Sequence, residues 1–314
     1  MSFSGMVKEE LSRQVSTARH CRIAEIAALL SACGRMTADG ILHFQTENYA
    51  VVRKYFTLLT KTFNIDTAIA IRESCQMKKG KVYFVEIADP AQIETVLQGT
   101  KLSVDKCSGE TLYAGNGLVI QQSCCKRAFI RGAFLASGSI SDPEKGYHFE
   151  IVTVSEKRAQ QLQQIIRTCG IDVKTVVRKK YHVVYAKEGE QIGDLLSLME
   201  APKARMNFEN IRILKDVRNS VNRKVNCEAA NLNKTANASL EQVRDIEYIS
   251  EYYGLESLPE NLRQAARLRL EKPDASLTEL GKMMDPPVSK SGVNHRFKKL
   301  KALADQMREK GGRL

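Results

Sequence analysis

Polar side chains suited to binding a polyanion are concentrated near the carboxyl end of the chain. Residues 288–314 contain eight Lys or Arg and two acidic residues, while the formal net charge of the whole 314-residue chain is +12. Asn294 and His295 can hydrogen-bond to base edges in a DNA groove. Lys298 and Lys299 can pair with backbone phosphates. This distribution of charge favours a nucleic acid or an anionic lipid as the partner.

Three helices are predicted to position these side chains. Pro259 opens the first helix, where its missing N–H costs nothing, and Ser276 and Glu279 form a capping box at the start of the second. Residues 285–287, Asp-Pro-Pro, end the second helix, and Ser289 can cap the third. The third helix carries an apolar stripe that must face the other two, formed by Val293, Phe297, Leu300 and Ala304. A short helix, followed by a tight break and then by a basic amphipathic helix, is typical of a helix-turn-helix.

The face of the third helix opposite its apolar stripe would then enter the major groove. Ser291, Asn294 and His295 lie on its first two turns and could contact base edges, since asparagine can pair with adenine through two hydrogen bonds. The alternative is a charged face that is merely solvated on the outside of a helical bundle. The candidate DNA-binding residues are Ser289, Lys290, Ser291, Asn294, His295, Arg296, Lys298 and Lys299.

The first two thirds of the sequence contain an internal repeat. Two helix-like runs of small and apolar residues end at Gly34 and Gly138, which are 104 residues apart. After each glycine the same order of elements is predicted: strand, helix, two strands and a helix. The phrases at 64–66 and 170–172 match at an offset of 106. A nearly constant offset indicates duplication, and strands without long crossovers predict an antiparallel sheet in each αββαββα repeat.

The two repeated helices are rich in small side chains. Small residues allow two helix backbones to approach closely. We therefore expect these helices to pack together at the centre of a pseudo-twofold arrangement with the sheets on either side. The small residues are Ala24, Ala27, Ala28 and Ala32 in the first helix, and Gly132, Ala133 and Ala136 in the second.

The stretch AFIRGAFLASGSI, with IAALLSACGRM as its weaker partner, resembles the core motif of double-motif LAGLIDADG homing endonucleases. In that family an acidic residue before each glycine binds the divalent metal ions that assist phosphodiester cleavage. Cys33 and Ser137 stand at those positions here, and a neutral thiol and hydroxyl cannot replace carboxylates as ligands for Mg²⁺. Asp39 and Asp142 lie beyond the helix ends, where turn carboxylates are usually solvated. The resemblance thus implies a retained fold without catalytic residues, so no enzyme activity is expected.

The cysteines show no metal-binding spacing. There is no CxxC motif and no paired histidine spacing, and adjacent Cys124 and Cys125 on one predicted helix are expected to diverge too far to share a metal ion. We interpret the thiols as small, reduced and mostly buried, with no metal and no cofactor predicted. The eight cysteines are Cys21, Cys33, Cys75, Cys107, Cys124, Cys125, Cys169 and Cys227.

The combination of these features extends over the whole chain. The Asn-rich stretch 218–239 is predicted to be a loop-rich connector between a domain at 1–217, with repeats at about 20–100 and 121–205, and a helix-turn-helix domain at 240–314. Together with SFSGMVKEEL near the start and NRKVNCEAAN at the junction, this arrangement resembles the WhiA family. The implied fold is α+β: a duplicated LAGLIDADG-type αββαββα domain with antiparallel sheets, followed by an all-α helix-turn-helix domain.

What this resemblance implies is a double-stranded DNA-binding transcription regulator, linked to sporulation in spore formers and to cell division and chromosome segregation in others. The LAGLIDADG-like domain would then offer a surface for DNA or for a regulatory protein partner. Two alternatives stay open at this point. One is a nucleoid-associated structural protein without direct promoter control, and the other is a surviving metal-dependent endonuclease, against which the replaced acids argue.

Other segments argue against a membrane protein. No window approaches 18 uninterrupted apolar residues. The amino-terminal segment has Phe3, Val7 and Leu11 at helical spacing, which predicts an amphipathic helix rather than a signal peptide. A cytoplasmic, nucleoid-associated location is expected. Two lysine-rich hairpin ends are interpreted as solvated edges, although contact with DNA is left open: Lys78, Lys79 and Lys81, and Arg178, Lys179 and Lys180.

Overall fold

The computed structural model describes residues 2–73, 81–104, 112–114 and 118–309. The chain divides into two units, Met1–Asp216 and Val217–Leu314. Cys75, Cys107, Lys78 and Lys79, together with Lys310 and Arg313 of the basic carboxyl-terminal stretch, lie outside the described residues.

The first unit contains two repeats of the same elements. An amino-terminal helix, α1 (Phe3–Arg13), precedes them. The first repeat is α2 (Arg19–Cys33), β1 (Gly34–Met36), β2 (Leu42–Thr46), α3 (Tyr49–Phe63), β3 (Ile69–Glu73), β4 (Lys81–Ile87) and α4 (Pro90–Thr100). A two-stranded sheet of β5 (Leu102–Val104) and β6 (Leu112–Ala114) follows. The second repeat is α5 (Ser123–Ser137), β7 (Gly138–Ile140), β8 (Phe149–Thr153), α6 (Glu156–Arg167), β9 (Lys174–Arg178), β10 (Tyr181–Ala186) and α7 (Gly189–Leu198).

The two four-stranded sheets have the same topology. Their strand orders are β1-β2-β4-β3 and β7-β8-β10-β9, and every pairing is antiparallel. The predicted antiparallel duplication is therefore confirmed. Gly34 and Gly138 begin the edge strands directly after α2 and α5. A Cβ at Gly34 would lie 2.6 Å from the Leu30 carbonyl oxygen, and one at Gly138 would lie 2.7 Å from that of Phe134. This abrupt change from helix to strand leaves no room for a side chain, which explains the repeated glycine.

Helices α2 and α5 pack together at the centre of the first unit, as their small residues predict. Ala24, Ala27 and Ala28 are each no more than 1% exposed. At the closest approach, a Cβ added to Gly132 would lie 2.7 Å from the Glu25 carbonyl oxygen and 2.9 Å from the Ala28 Cβ. The two helices thus touch backbone to backbone, which only very small side chains permit.

The stretch 218–239 is helical, so the prediction of a loop-rich connector is wrong. It lies within one helix, α8 (Pro202–Tyr252). Residues 216–238 are exposed, and no Gly or Pro occurs between 203 and 252. Asparagine lowers helix propensity by well under about 1 kcal/mol per residue, whereas a reliable break needs Gly or Pro. The asparagines therefore made the sequence resemble a loop without supplying anything that ends a helix.

The second unit is all-helical within its described residues. The carboxyl-terminal part of α8, α9 (Glu260–Glu271), α10 (Leu277–Met283) and α11 (Lys290–Glu309) surround one small core. Among the described residues, 3₁₀ turns lie at Leu255–Ser257 in this unit and at Leu118–Ile120 in the first unit. Ser276 and Glu279 form the predicted capping box. None of the helices in the described part of the chain combines the length and apolar character needed to span a bilayer.

Candidate nucleic-acid interface

The start of α11 is held by Ser289. The Gly292 N–H donates to Ser289 Oγ at 3.3 Å, and the Val293 N–H donates to the Ser289 carbonyl oxygen at 3.0 Å. The hydroxyl groups of Ser289 and Ser291 are 3.0 Å apart. Ser289 is thus the predicted cap, and its hydroxyl is already engaged in ordering the first turn.

The rotation of α11 about its axis follows from its apolar stripe. Val293, Phe297 and Leu300 are 0%, 4% and 1% exposed, and they pack in the core of the second unit. Since these residues face inward, the opposite face is turned to solvent. The exposed polar residues of that face, with the exposed Lys290 beside them, are Ser291, Asn294, His295, Lys298 and Lys299.

Arg296 is placed differently from the other candidates. Its side chain is half-buried, and its guanidinium lies 3.5 Å from Gln264 Oε1 and 3.2 Å from Met284 Sδ. These contacts direct it toward α9 and the end of α10. Arg296 therefore differs from Lys298 and Lys299, which are exposed.

The connection between α10 and α11 depends on a glycine that the sequence analysis did not select. The Val288 N–H donates to the Gly281 carbonyl oxygen at 2.9 Å. A Cβ at Gly281 would lie 2.2 Å from the Val288 carbonyl oxygen and 3.2 Å from Val293 Cγ2. Real Cβ atoms do not approach backbone so closely, so Gly281 allows the connection to fold back against α10. A glycine inside a helix that is expected to be amphipathic was the available hint.

A buried arginine of α9 packs against the buried face of α11. Arg269, on α9, is 2% exposed, and its guanidinium lies 5.3 Å from the ring centre of Phe297. It donates to the carbonyl oxygens of Pro273 at 3.0 Å and Ala275 at 2.6 Å, and to Gln242 Oε1 at 3.0 Å. Burial lowers the pKa of Arg269, while these acceptors satisfy its N–H groups. Because an arginine in a basic domain is normally expected at the surface, sequence alone did not point to this role.

The two positions at which the resemblance to LAGLIDADG endonucleases would place metal-binding acids lie at the carboxyl ends of the two central helices. Cys33 is the last residue of α2 and Ser137 the last of α5, and Cys33 Sγ lies 4.0 Å from the Ala136 carbonyl oxygen. Burial raises the pKa of Cys33 to about 11, with nearby Lys8 opposing the shift. Asp39 and Asp142 are exposed on turns. Two neutral groups at this point cannot assemble an oxygen-rich site for Mg²⁺.

Comparisons with known proteins place both units in one family. Three family models match successive parts of the chain: the WhiA N-terminal LAGLIDADG-like domain at residues 19–103, the WhiA LAGLIDADG-like domain at 126–218, and the WhiA C-terminal HTH domain at 221–304. A probable cell division protein WhiA of Lachnoclostridium phytofermentans is 54% identical over 98% of this chain and 100% of its own length. The chain belongs to the WhiA family.

Further relatives agree with this family membership. A probable cell division protein WhiA of Desulforamulus reducens is 44% identical over 98% of this chain and 97% of its own length. The crystal structure of full-length DUF199/WhiA from Thermatoga maritima is similar in fold, with a TM-score of 0.59 and 24% identity over 98% of this chain and 99% of that one. The predicted fold class and family resemblance are thus confirmed.

The basic end of the β9–β10 hairpin in this WhiA-family chain includes an arginine that is paired with an acidic residue. Arg178 lies 3.2 Å from Glu150 Oε2, and Lys81, Lys179 and Lys180 are exposed. Burial alone would raise the pKa of Glu150, but hydrogen bonds from His148 and Ser139, together with the charge of Arg178, lower it overall. An ionised carboxylate therefore neutralises part of this hairpin's positive charge.

Adjacent Cys124 and Cys125 lie together with two side chains of α2, so the prediction that they diverge too far to share a metal ion is wrong. In the structure their sulfur atoms lie with the sulfur of Cys21 and a ring nitrogen of His20, all within 4.8 Å of one another. Divergence along one helix does not prevent this, because the cluster forms between two helices.

Proposed function

We propose that this WhiA-family chain is a sequence-specific DNA-binding transcription regulator that acts in cell division and chromosome segregation, and in sporulation where the organism forms spores. It would act in the cytoplasm, associated with the nucleoid. The observation that carries the proposal is the exposed polar face of α11, whose orientation follows from the burial of Val293, Phe297 and Leu300. The match to the WhiA HTH domain and the relatives' description as cell division proteins support it.

The chemistry of this face suggests how DNA would be recognised. Ser291, Asn294 and His295 would meet base edges in the major groove, and the Asn294 amide can both donate to and accept from one adenine. Lys290, Lys298 and Lys299 would pair with phosphates, which adds affinity without sequence preference. The Ser289 hydroxyl would chiefly cap the helix, and the contacts of Arg296 with Gln264 and Met284 make it a supporting residue rather than a groove contact.

The first unit would serve as a non-catalytic platform for a regulatory protein partner or for additional DNA contact. Support comes from the neutral Cys33 and Ser137 and from the exposed basic hairpin ends. In this proposal the protein is not an enzyme.

Crosslinking the full-length protein to its chromosome and sequencing the recovered DNA would test the proposal. A regulator should be recovered at discrete sites upstream of genes, and those fragments should bind the purified protein more tightly than random DNA. Uniform recovery, with equal affinity for all fragments, would favour a structural nucleoid protein instead. Replacing Asn294 by Ala should reduce recovery at the discrete sites while leaving the protein folded.

A further inference from the structure

Four side chains of soft or borderline ligand character meet where the two central helices begin. His20 and Cys21 lie in the first turn of α2, and Cys124 and Cys125 lie in the first turn of α5. His20 Nδ1 is 3.1 Å from Cys125 Sγ, 3.4 Å from Cys21 Sγ and 4.0 Å from Cys124 Sγ. Of the described residues, these form the one His, Cys, Asp and Glu group close enough to hold a metal ion.

The cluster follows the internal repeat. His20 corresponds to Cys124, and Cys21 to Cys125, at the same offset of 104 residues that separates Gly34 from Gly138. Each repeat thus contributes two consecutive residues from the equivalent turn. Consecutive side chains on one helix point about 100° apart, but two such pairs facing each other across a close helix contact can surround a common point. The close approach at Gly132 brings the two helices near enough for this.

We propose that His20, Cys21, Cys124 and Cys125 bind one Zn²⁺ ion that fastens α2 to α5. A tetrahedral ion with bonds of about 2.3 Å to sulfur and about 2.0 Å to nitrogen holds its ligand atoms roughly 3.6–3.8 Å apart. The three distances from His20 Nδ1 fall around this value. Three thiolates and one imidazole form a closed structural zinc set, while Mg²⁺ and Ca²⁺ prefer oxygen ligands.

The surroundings suit a buried structural ion. Cys21 and Cys125 are 5% and 4% exposed, Cys124 is half-buried and His20 is exposed. An open pocket lined partly by His20, Cys125 and Gln122 gives the ion a route from solvent. All four residues lie in the first turns of their helices, where the partial positive charge of a helix N-terminus favours a bound thiolate. Burial raises the pKa of Cys21 and Cys125, so zinc would have to displace their protons on binding.

The proposed ion lies at the opposite ends of α2 and α5 from Cys33 and Ser137. Its role would therefore be to stabilise the pairing of the repeats rather than to cut DNA. Because a preformed set of three thiolates does not persist in the unfolded chain, zinc binding would add to the free energy of unfolding of the first unit. This inference does not depend on the proposed DNA-binding function.

Metal analysis of the full-length protein, purified under reducing conditions, tests the proposal. One equivalent of zinc should accompany the protein, and Co²⁺ exchanged into the site should show the visible bands of a tetrahedral thiolate complex. Cys124→Ser and His20→Ala replace the less buried ligands, so these variants should stay folded. Each should weaken zinc binding by more than the roughly 10- to 100-fold loss typical of removing an outer hydrogen-bond partner. The matched controls Cys169→Ser and Cys227→Ser should retain the metal.

A strong chelator should lower the thermal midpoint of the wild-type protein and leave that of Cys124→Ser unchanged. Several results would overturn the proposal. These are a reduced protein that takes up neither Zn²⁺ nor Co²⁺, zinc retained at full affinity by Cys124→Ser, and a disulfide between Cys21 and a cysteine of α5 in protein isolated with thiols trapped. The last result would replace the metal site by a covalent link between the helices.

Discussion

Arg131 and Glu25 form a buried ion pair across the contact between α5 and α2. Arg131 Nε donates to Glu25 Oε1 at 3.1 Å, and the two side chains are 3% and 0% exposed. Lys54 Nζ lies 3.1 Å from the same carboxylate oxygen, while Glu200 Oε2 accepts from Arg131 at 2.7 Å. Burial lowers the pKa of Lys54, an effect that Glu25 opposes. Glu25 therefore compensates two buried cations at once.

Glu25→Gln is expected to lower the free energy of unfolding of the first unit by about 3–5 kcal/mol, because it leaves the buried Lys54 without its carboxylate and leaves Arg131 only the half-exposed carboxylate of Glu200. Chemical denaturation followed by a probe in the first unit would measure the change. The matched control is Glu9→Gln, which removes the partly exposed carboxylate paired with Arg13 at 2.9 Å and should cost no more than about 1 kcal/mol. Equal effects of the two substitutions would contradict the importance of the buried pair.

Gly281→Ala is expected to destabilise the second unit by about 1–3 kcal/mol, because the added methyl group would meet the Val288 carbonyl oxygen. A loss of stability would be diagnostic, because alanine normally stabilises a helix by up to about 1 kcal/mol relative to glycine. Hydrogen exchange of α11 amides in the full-length protein would report the change. Gly146→Ala is a suitable control, since a Cβ there meets nothing within 4 Å. Unchanged protection of α11 would show that the connection can shift to accept the methyl group.

Asn294→Ala should cost about 1–3 kcal/mol of binding free energy at a specific DNA site and little on random DNA. Lys298→Ala should weaken binding to both DNAs similarly and reduce the slope of log affinity against log salt by about one unit. Titrations at several salt concentrations would distinguish these effects. Gln306→Ala, another exposed amide on α11 but far from its amino terminus, serves as the control. If both variants lost the same affinity for the specific site and for random DNA, α11 would be only a basic surface without sequence recognition.

The raised pKa of Cys33 predicts a pH-dependent reactivity. Because the pKa is raised by burial from an ordinary 9.0 to about 11, the native protein should keep this thiol protonated at pH 9 while the unfolded chain begins to ionise it. This difference makes stability fall as pH rises from about 9 toward 11. Alkylation of Cys33, followed by mass spectrometry against pH in native and denatured protein, checks the shift. Equal profiles in the two states would contradict it.

The protein with Mg²⁺ or Mn²⁺ is expected not to cleave DNA that it binds, because Cys33 and Ser137 cannot gather divalent cations. Incubation of supercoiled and linear DNA with highly purified protein provides the measurement. The double variant Cys33→Asp with Ser137→Asp should also remain inactive, because cleavage would need the other metal ligands to be in the correct positions as well. Metal-dependent, site-specific cleavage that persists in the highly purified wild-type protein would contradict this prediction.

Local features of the sequence predicted the repeated fold of the first unit and the exposed face of α11. The repeated phrases indicated two copies of one antiparallel unit, the Ser276–Glu279 capping box marked the start of α10, and the spacing of Val293, Phe297 and Leu300 predicted which face of α11 is exposed. These features could be predicted because caps and periodicity act within a few residues along the chain. Asparagine-rich composition was misleading at 218–239, since propensity alone does not end a helix.

Which residues from distant parts of the chain meet depends on how the helices pack. The same composition that suggested scattered thiols allowed His20 and Cys21 to lie beside Cys124 and Cys125, because two helices begin at one place. It also placed Glu25 against Arg131 and buried Arg269 behind Phe297. Such contacts depend on how helix surfaces pack over more than a hundred residues of chain, and no local pattern records that packing.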